Sequence, residues 1–218
     1  MICLVTDRRR LSASGNDCDR LVDLVAAAAR AGIDLIQIRE RDLAARPLAA
    51  LARRCVAVAE GTSTKVLVND RADVAAAAGA HGVHLRSDSI TVSAVRTLVG
   101  NGALIGRSVH GSEEAGAVSD AGGVDYLIFG TLYQTASKGA EHPLAALDEL
   151  SAACRVSIPV LAIGGITIER AAEVARAGAA GIAGIGLFVP PAGTSPDSHL
   201  QTIVADLRQA FDTCEAVS

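Results

Sequence analysis

The chain alternates between two kinds of segment. Short apolar runs, rich in β-branched residues, are followed by longer alanine-rich stretches whose apolar positions recur three and four residues apart. The runs ICLVT (2–6), IDLIQI (33–38), KVLVN (65–69), GVHL (82–85), ALIGRSV (103–109), VDYLIFG (124–130), IPVLAIG (158–164) and AGIAGIG (180–186) predict strands. Helices are predicted near 18–31, 43–60, 71–79, 91–99, 112–121, 144–154, 168–177 and 197–213. The strands are apolar throughout, which suits parallel strands covered by helices. Eight short βα units in 218 residues predict an α/β fold, a single (β/α)8 TIM barrel over 1–218. A doubly wound open sheet is the structural alternative.

Punctuation supports these elements. Gly32, Gly79 and Gly178 each follow an alanine-rich stretch, where a helix ends in a left-handed turn. Ser112 with Glu114, and Thr167 before Glu169, suit helix N-termini.

Composition narrows the function classes. Half the residues are hydrophobic, yet 2% are aromatic and there is no Trp, so small aliphatic side chains must fill the core. Two Tyr, three Phe and a net charge of −4 leave neither stacking platform nor basic footprint for nucleic acid. No apolar stretch reaches the roughly 18 residues needed to cross a membrane. Five scattered Cys without CxxC spacing read as free thiols in a reducing, cytoplasmic setting. The small, low net charge and alanine-rich helices permit a homo-oligomer, but no interface is legible.

In such a barrel chemistry sits at the C-terminal ends of the strands. Ile163-Gly164-Gly165-Ile166-Thr167 and Gly184-Ile185-Gly186-Leu187 place glycines at the last two strand ends. There backbone N–H groups can approach a phosphate oxygen in front of a helix N-terminus. Gln37-Ile38-Arg39-Glu40-Arg41 puts Gln37, Arg39 and Arg41 on one side by alternation, and Glu40 on the other. Two neighbouring guanidiniums suit phosphate or pyrophosphate oxygens; a surface salt-bridge patch is the alternative. Asp70 would bind Mg2+ or cap the following helix, with Asp88 the nearest second carboxylate. Ser108 and His110 share a side, and His110 has the side chain for acid–base work at neutral pH. His84 reads as a satisfied core residue, and His81 and His199 as exposed. The loop Thr135-Ala136-Ser137-Lys138-Gly139 has the composition of an anion clamp, or of an ordinary solvated loop.

Taken in order, Gln37–Arg41, Val68-Asn69-Asp70, Gly82–Leu85, Ile105–His110, Tyr126–Gly130 with Thr135–Lys138, and Ile163–Thr167 resemble the thiamine phosphate synthase/TenI family of (β/α)8 barrels. The resemblance covers nearly the whole chain. It implies one of two activities: joining a hydroxymethylpyrimidine pyrophosphate to a thiazole phosphate with Mg2+, or tautomerising a thiazole phosphate carboxylate without a metal. By position it implies pyrimidine pyrophosphate contacts at Gln37, Arg39, Arg41, Asn69, Ser108 and Lys138. It implies thiazole phosphate contacts at Thr135, Ser137, Gly164, Gly165, Ile185 and Gly186, and Mg2+ on Asp70 in the synthase case.

Three departures from the family pattern bear on the reaction. Arg41 stands where the synthases usually carry lysine. After His84-Leu85 they usually read Gly-Gln-x-Asp, whereas this chain has Arg86-Ser87-Asp88-Ser89, so the metal aspartate falls on Ser89. A tautomerase histidine just after Phe-Gly is replaced by Thr131, with His110 or His142 as substitutes. These departures favour a TenI-like thiazole tautomerase with His110, Lys138 and Arg39 in catalytic roles and no cofactor. A Mg2+-dependent thiamine phosphate synthase and a non-catalytic phosphate-ligand binder are the alternatives.

Overall fold

The structure is a computed structural model that describes residues 1–11, 16–134 and 145–215, with side chains described as far as 213. Eight strands close into a parallel barrel in chain order. They are β1 (Ile2–Val5), β2 (Leu35–Ile38), β3 (Lys65–Asn69), β4 (Gly82–Leu85), β5 (Leu104–Val109), β6 (Tyr126–Gly130), β7 (Val160–Ile163) and β8 (Gly181–Gly184). Between and after them run α1 (Asp17–Arg30), α2 (Ala45–Ala59), α3 (Ala72–Ala78), α4 (Val92–Val99), α5 (Ser112–Ala121), α6 (Leu147–Ala153), α7 (Ile168–Arg176) and α8 (Pro196–Glu215). Short 3-10 turns follow β1 (Arg8–Leu11) and β8 (Gly186–Phe188). The expected TIM barrel is therefore the fold, and the open sheet is set aside.

Two apolar layers hold it. Inside the barrel Cys3, Val5, Leu35, Leu67, Tyr126, Ile128, Leu161 and Ala183 pack together. Outside, the opposite strand faces meet the helices, as α1 illustrates with Leu21, Leu24, Val25 and Ala28 buried on one stripe. Each of those larger side chains contributes about 1.5–3 kcal/mol by leaving water. Asn16 caps α1 by accepting from the Cys18 N–H at 3.1 Å.

The three expected helix-ending glycines have φ of 82° at Gly32, 66° at Gly79 and 93° at Gly178. Two expectations are corrected. The α5 N-cap is Gly111, and Ser112 lies inside the helix, its N–H donating to Glu149 Oε2 at 3.1 Å. Nor is His81 an exposed bystander: it is half-buried, and its Nδ1 accepts from the Val66 N–H at 3.0 Å. Burial, then the charge of Lys65, lowers its pKa. The predicted β3 and β4 match to the residue, and the other predicted strands run one to three residues long, with Thr6, Gly164 and Ile185-Gly186 leaving the sheet to build the rim.

Candidate functional site

The site begins inside the barrel. Tyr126 is the largest polar side chain there, and Gly106 on the neighbouring strand makes room for it. A Cβ at Gly106 would sit 2.1 Å from Tyr126 Cζ. A buried phenol needs a partner. His84 supplies it: Nδ1 lies 3.1 Å from Tyr126 Oη, and Nε2 lies 2.9 Å from Ser108 Oγ. A neutral ring donates at one nitrogen and accepts at the other, so the two hydroxyls take opposite roles. Burial pushes the His84 pKa down to about 3, which keeps it neutral. His84 is thus the satisfied core residue its place in a strand suggested, and it holds Ser108 at the rim. Beside it Gln37 Nε2 donates to Asn69 Oδ1 at 2.8 Å, orienting the Asn69 amide.

The β1–β2 edge is locked by one carboxylate. Buried Glu40 accepts from Thr6 Oγ1 at 2.7 Å, from the Arg8 N–H at 3.2 Å and from Arg8 Nη1 at 3.0 Å. Thr6 Oγ1 in turn accepts from the Arg39 N–H at 2.9 Å. Arg8 also grips Asp42, whose pKa that hydrogen bond holds well below the usual carboxylate range. Glu40 therefore gives its hydrogen bonds to the loop after β1 and makes no ion pair with Arg39 or Arg41.

That leaves Arg39 and Arg41 facing the rim. Burial, then the charge of Arg41, pulls the Arg39 pKa down; Asp7 and Glu40 oppose the shift and Arg86 adds a smaller push in the same direction. Among the described residues neither Arg39 nor Arg41 has a side-chain ion pair. Arg41, Asn69, Asp70, Arg71 and Arg86 line a cleft of about 200 Å³ over Ile38. Arg71 is engaged by Asp73 at 2.8 and 2.6 Å.

Asp70 has a left-handed backbone, φ 61°, with its N–H donating to the His84 carbonyl at 2.8 Å. That conformation is tolerated by Asp and aims its carboxylate across to the β4–α4 loop. There Ser89 Oγ accepts from the Arg86 N–H at 2.8 Å and donates to Asp70 Oδ1. Arg86 Nη1 lies 3.8 Å from Asp70 Oδ2. Asp88 is exposed and pairs with Arg86. The expectation that Asp88 supplies a second metal carboxylate is corrected: the one-residue shift turns it outward, and Ser89 occupies the place facing Asp70.

At the opposite edge β7 and β8 end in glycines. Gly164 and Gly165 have φ of 107° and 60°. A Cβ at Gly165 would meet Gln134 O at 2.7 Å and Tyr133 Cβ at 2.8 Å, so the segment after β6 lies directly on it. Tyr133 is held there by three contacts. Its N–H donates to Gly164 O at 3.0 Å, its hydroxyl donates to Glu173 Oε2 at 2.9 Å, and Arg170 stacks 4.2 Å over its ring. Among the described residues no acceptor takes the N–H groups of Gly165, Ile166, Gly186 or Leu187. These donors stand ahead of α7 and around the turn after β8, where an anion would satisfy them.

His110 lies on the loop after β5. Its Nδ1–H donates to the Gly130 carbonyl at 2.6 Å, and Glu114 Oε2 accepts from its backbone N–H at 2.7 Å. Nε2 has no partner among the described residues. Thr131, where a tautomerase histidine was looked for, is buried with its methyl toward Gly164. Thr135, Ser137, Lys138 and His142 lie outside the described residues. Sequence reasoning missed the pairing of Ser89 with Asp70 and the place of Arg86 in the cleft. Arg86 was legible only as one more polar residue at the rim.

The donor set does not fit the Mg2+ site that the family pattern implies. Among the described residues no three His, Cys, Asp or Glu side chains are arranged to hold a metal ion. Asp70 is a single carboxylate with one oxygen on a hydroxyl and a guanidinium near the other. That cation repels a second one.

Fold and rim together define a (β/α)8 enzyme-type barrel with its polar groups gathered at the C-terminal strand ends. The family model described as thiamine monophosphate synthase matches residues 2–188. The chain belongs to this family of thiamine phosphate synthases and TenI proteins. A thiamine-phosphate synthase of Roseiflexus sp. is 37% identical over 213 residues, covering 97% of this chain and 87% of that one. One from Methanoculleus marisnigri is 43% identical over 170 residues, covering 77% and 79%. Thiamine phosphate pyrophosphorylase from Pyrococcus furiosus superposes with a TM-score of 0.79 at 27% identity, covering 98% and 96%. The relatives carry the synthase name, so they favour the synthase alternative over the tautomerase branch expected first. No described helix is long and apolar enough to cross a membrane.

Proposed function

We propose that this chain is a thiamine phosphate synthase, joining a hydroxymethylpyrimidine pyrophosphate to a thiazole phosphate and releasing pyrophosphate. One observation supports the reading: the rim carries two separate groups of donors suited to anions. One is the β2–β4 cleft lined by Arg41 and Arg86, with Arg39 near enough for both charges to act on it. The other is the set of backbone N–H groups at Gly165, Ile166, Gly186 and Leu187, for which no described residue supplies an acceptor. A tautomerase holds one phosphorylated substrate, whose second anionic group is a single carboxylate, whereas a coupling enzyme must hold a phosphate and a pyrophosphate on two substrates at once, which a cluster of guanidiniums suits better.

In this reading the thiazole phosphate sits on the β7–β8 glycines, with Ile185 behind it, and the pyrophosphate group sits against Arg39 and Arg41. Gln37, Asn69 and Ser108 lie between and orient the pyrimidine. The thiazole forms its new bond to the pyrimidine methylene carbon as the carbon–oxygen bond to pyrophosphate breaks. The leaving group keeps that electron pair, and guanidiniums already in place stabilise its growing charge. The His84 relay fixes Ser108. Thr135, Ser137 and Lys138 are read from the sequence alone as an anion clamp for the phosphates.

Purified protein given both substrates with Mg2+ is expected to form thiamine phosphate and pyrophosphate in equal amounts, measured by chromatography. Conversion of the thiazole carboxylate tautomer alone, with no coupling, would overturn the reading and return His110 to the centre.

A further inference from the structure

We infer that the Arg86 guanidinium, held between Asp70 and Asp88 in the β2–β4 cleft, takes the place a divalent ion would occupy, so that the cleft holds a pyrophosphate-class anion without metal. The inference rests on the two-anion reading above. It begins from what surrounds Asp70. Ser89 is fully used, accepting from the Arg86 N–H at 2.8 Å and donating to Asp70 Oδ1. The other carboxylate oxygen has Arg86 Nη1 at 3.8 Å. A divalent ion on Asp70 would have to dislodge the serine hydroxyl and then sit beside a fixed positive charge.

The cleft already has the charge that an ion would bring. Glu40 is committed to Thr6 and Arg8, and Arg71 to Asp73. Among the described residues that leaves Arg41 without an ion pair in the cleft that Arg86 also lines, with Arg39 near enough for both charges to act on it. Arg86 is half-exposed and its pair with Asp88 is a surface pair, which is weak and exchanges readily for a doubly charged ligand. Asp70 then aims the guanidinium and does not ligate an ion. A planar fork of N–H donors can bridge two phosphoryl oxygens much as an ion does, but at fixed charge and geometry.

The test is calorimetric titration of the intact protein with sodium pyrophosphate, in chelator and in excess Mg2+. Affinities within about threefold of one another are expected, because the cation is built in. Arg86→Ala is expected to weaken binding in chelator by roughly tenfold to a hundredfold, with Arg86→Lys in between. The double variant Arg86→Gly with Ser89→Asp gives Asp70 a second carboxylate and is expected to bind only when Mg2+ is present. Binding by the natural protein only with Mg2+, unaffected by Arg86→Ala, would overturn this inference and leave the synthase reading standing. No binding in either buffer would overturn the synthase reading, and this inference with it.

Discussion

His84 Nε2 lies 2.9 Å from Ser108 Oγ, so a ring buried on the barrel axis positions a hydroxyl on the open rim. The same ring takes the Tyr126 phenol on its other nitrogen at 3.1 Å. Stability and site geometry therefore share one side chain.

This sharing predicts a pH dependence. The His84 pKa is about 3 in the folded protein, against an ordinary value of 6.5. Above 6.5 neither state binds the proton. As pH falls below it the unfolded chain takes up a proton that the folded one refuses, and stability is lost down to about 3. Between pH 7 and 5 this one group costs ~2 kcal/mol. Urea denaturation of the natural protein and of His84→Gln at both pH values checks it: the variant is expected to lose less stability on acidification.

Gly106→Ala places a methyl carbon 2.1 Å from Tyr126 Cζ, a clash with a ring that cannot withdraw. We expect a loss of about 2–3 kcal/mol, read from the denaturation midpoint, with part of it restored by adding Tyr126→Leu. If the double variant were no more stable than the single one, the clash would lie elsewhere.

Glu40→Gln leaves Arg8 with a half-satisfied guanidinium and takes the charge from the acceptor that organises Thr6 and the Arg39 N–H. A loss of about 3 kcal/mol is expected. Anion affinity at the Arg39–Arg41 edge is not expected to fall, since Glu40 lines the same cleft as Arg41 and the substitution removes a negative charge from it. Thermal melts with and without pyrophosphate separate the two effects.

Gly165→Ala puts a Cβ within 2.7 Å of Gln134 O at a φ of 60°. The segment over β7 would have to lift, taking the Tyr133 contacts with it. Thiazole phosphate affinity is expected to drop by tenfold or more while pyrophosphate affinity stays within about twofold, both by titration. Equal losses at the two ligands would mean that the rim has one anion site and not two.

The fold was legible because each strand is apolar on both faces and is closed off by glycine or a polar cluster. That signal is local. The glycine rim was legible for the same reason: only Gly tolerates what happens at Gly165. The arginine edge was half legible. Alternation put Glu40 opposite Arg39 and Arg41, but its partner Arg8 is 32 residues away in sequence, and no periodicity reaches that far. The Asp70 pairing was misjudged. Asp88 looked like the second carboxylate because it is charged, whereas a loop without a repeat decides which residue faces across 19 positions, and it is Ser89. Thr135, Ser137, Lys138 and His142, outside the described residues, remain expectations read from sequence.

Arg39 is held half-buried beside two other guanidiniums, and among the described residues the support of Asp7 and Glu40 does not offset its burial. A site of this kind is tuned for a ligand at the expense of the unliganded fold. Arg39→Met is therefore expected to melt at a higher temperature than the natural protein while losing pyrophosphate-induced stabilisation. A library selected blindly for heat resistance would gather its gains at 39, 41 and 86, and would trace the outline of the anion site without any substrate being supplied.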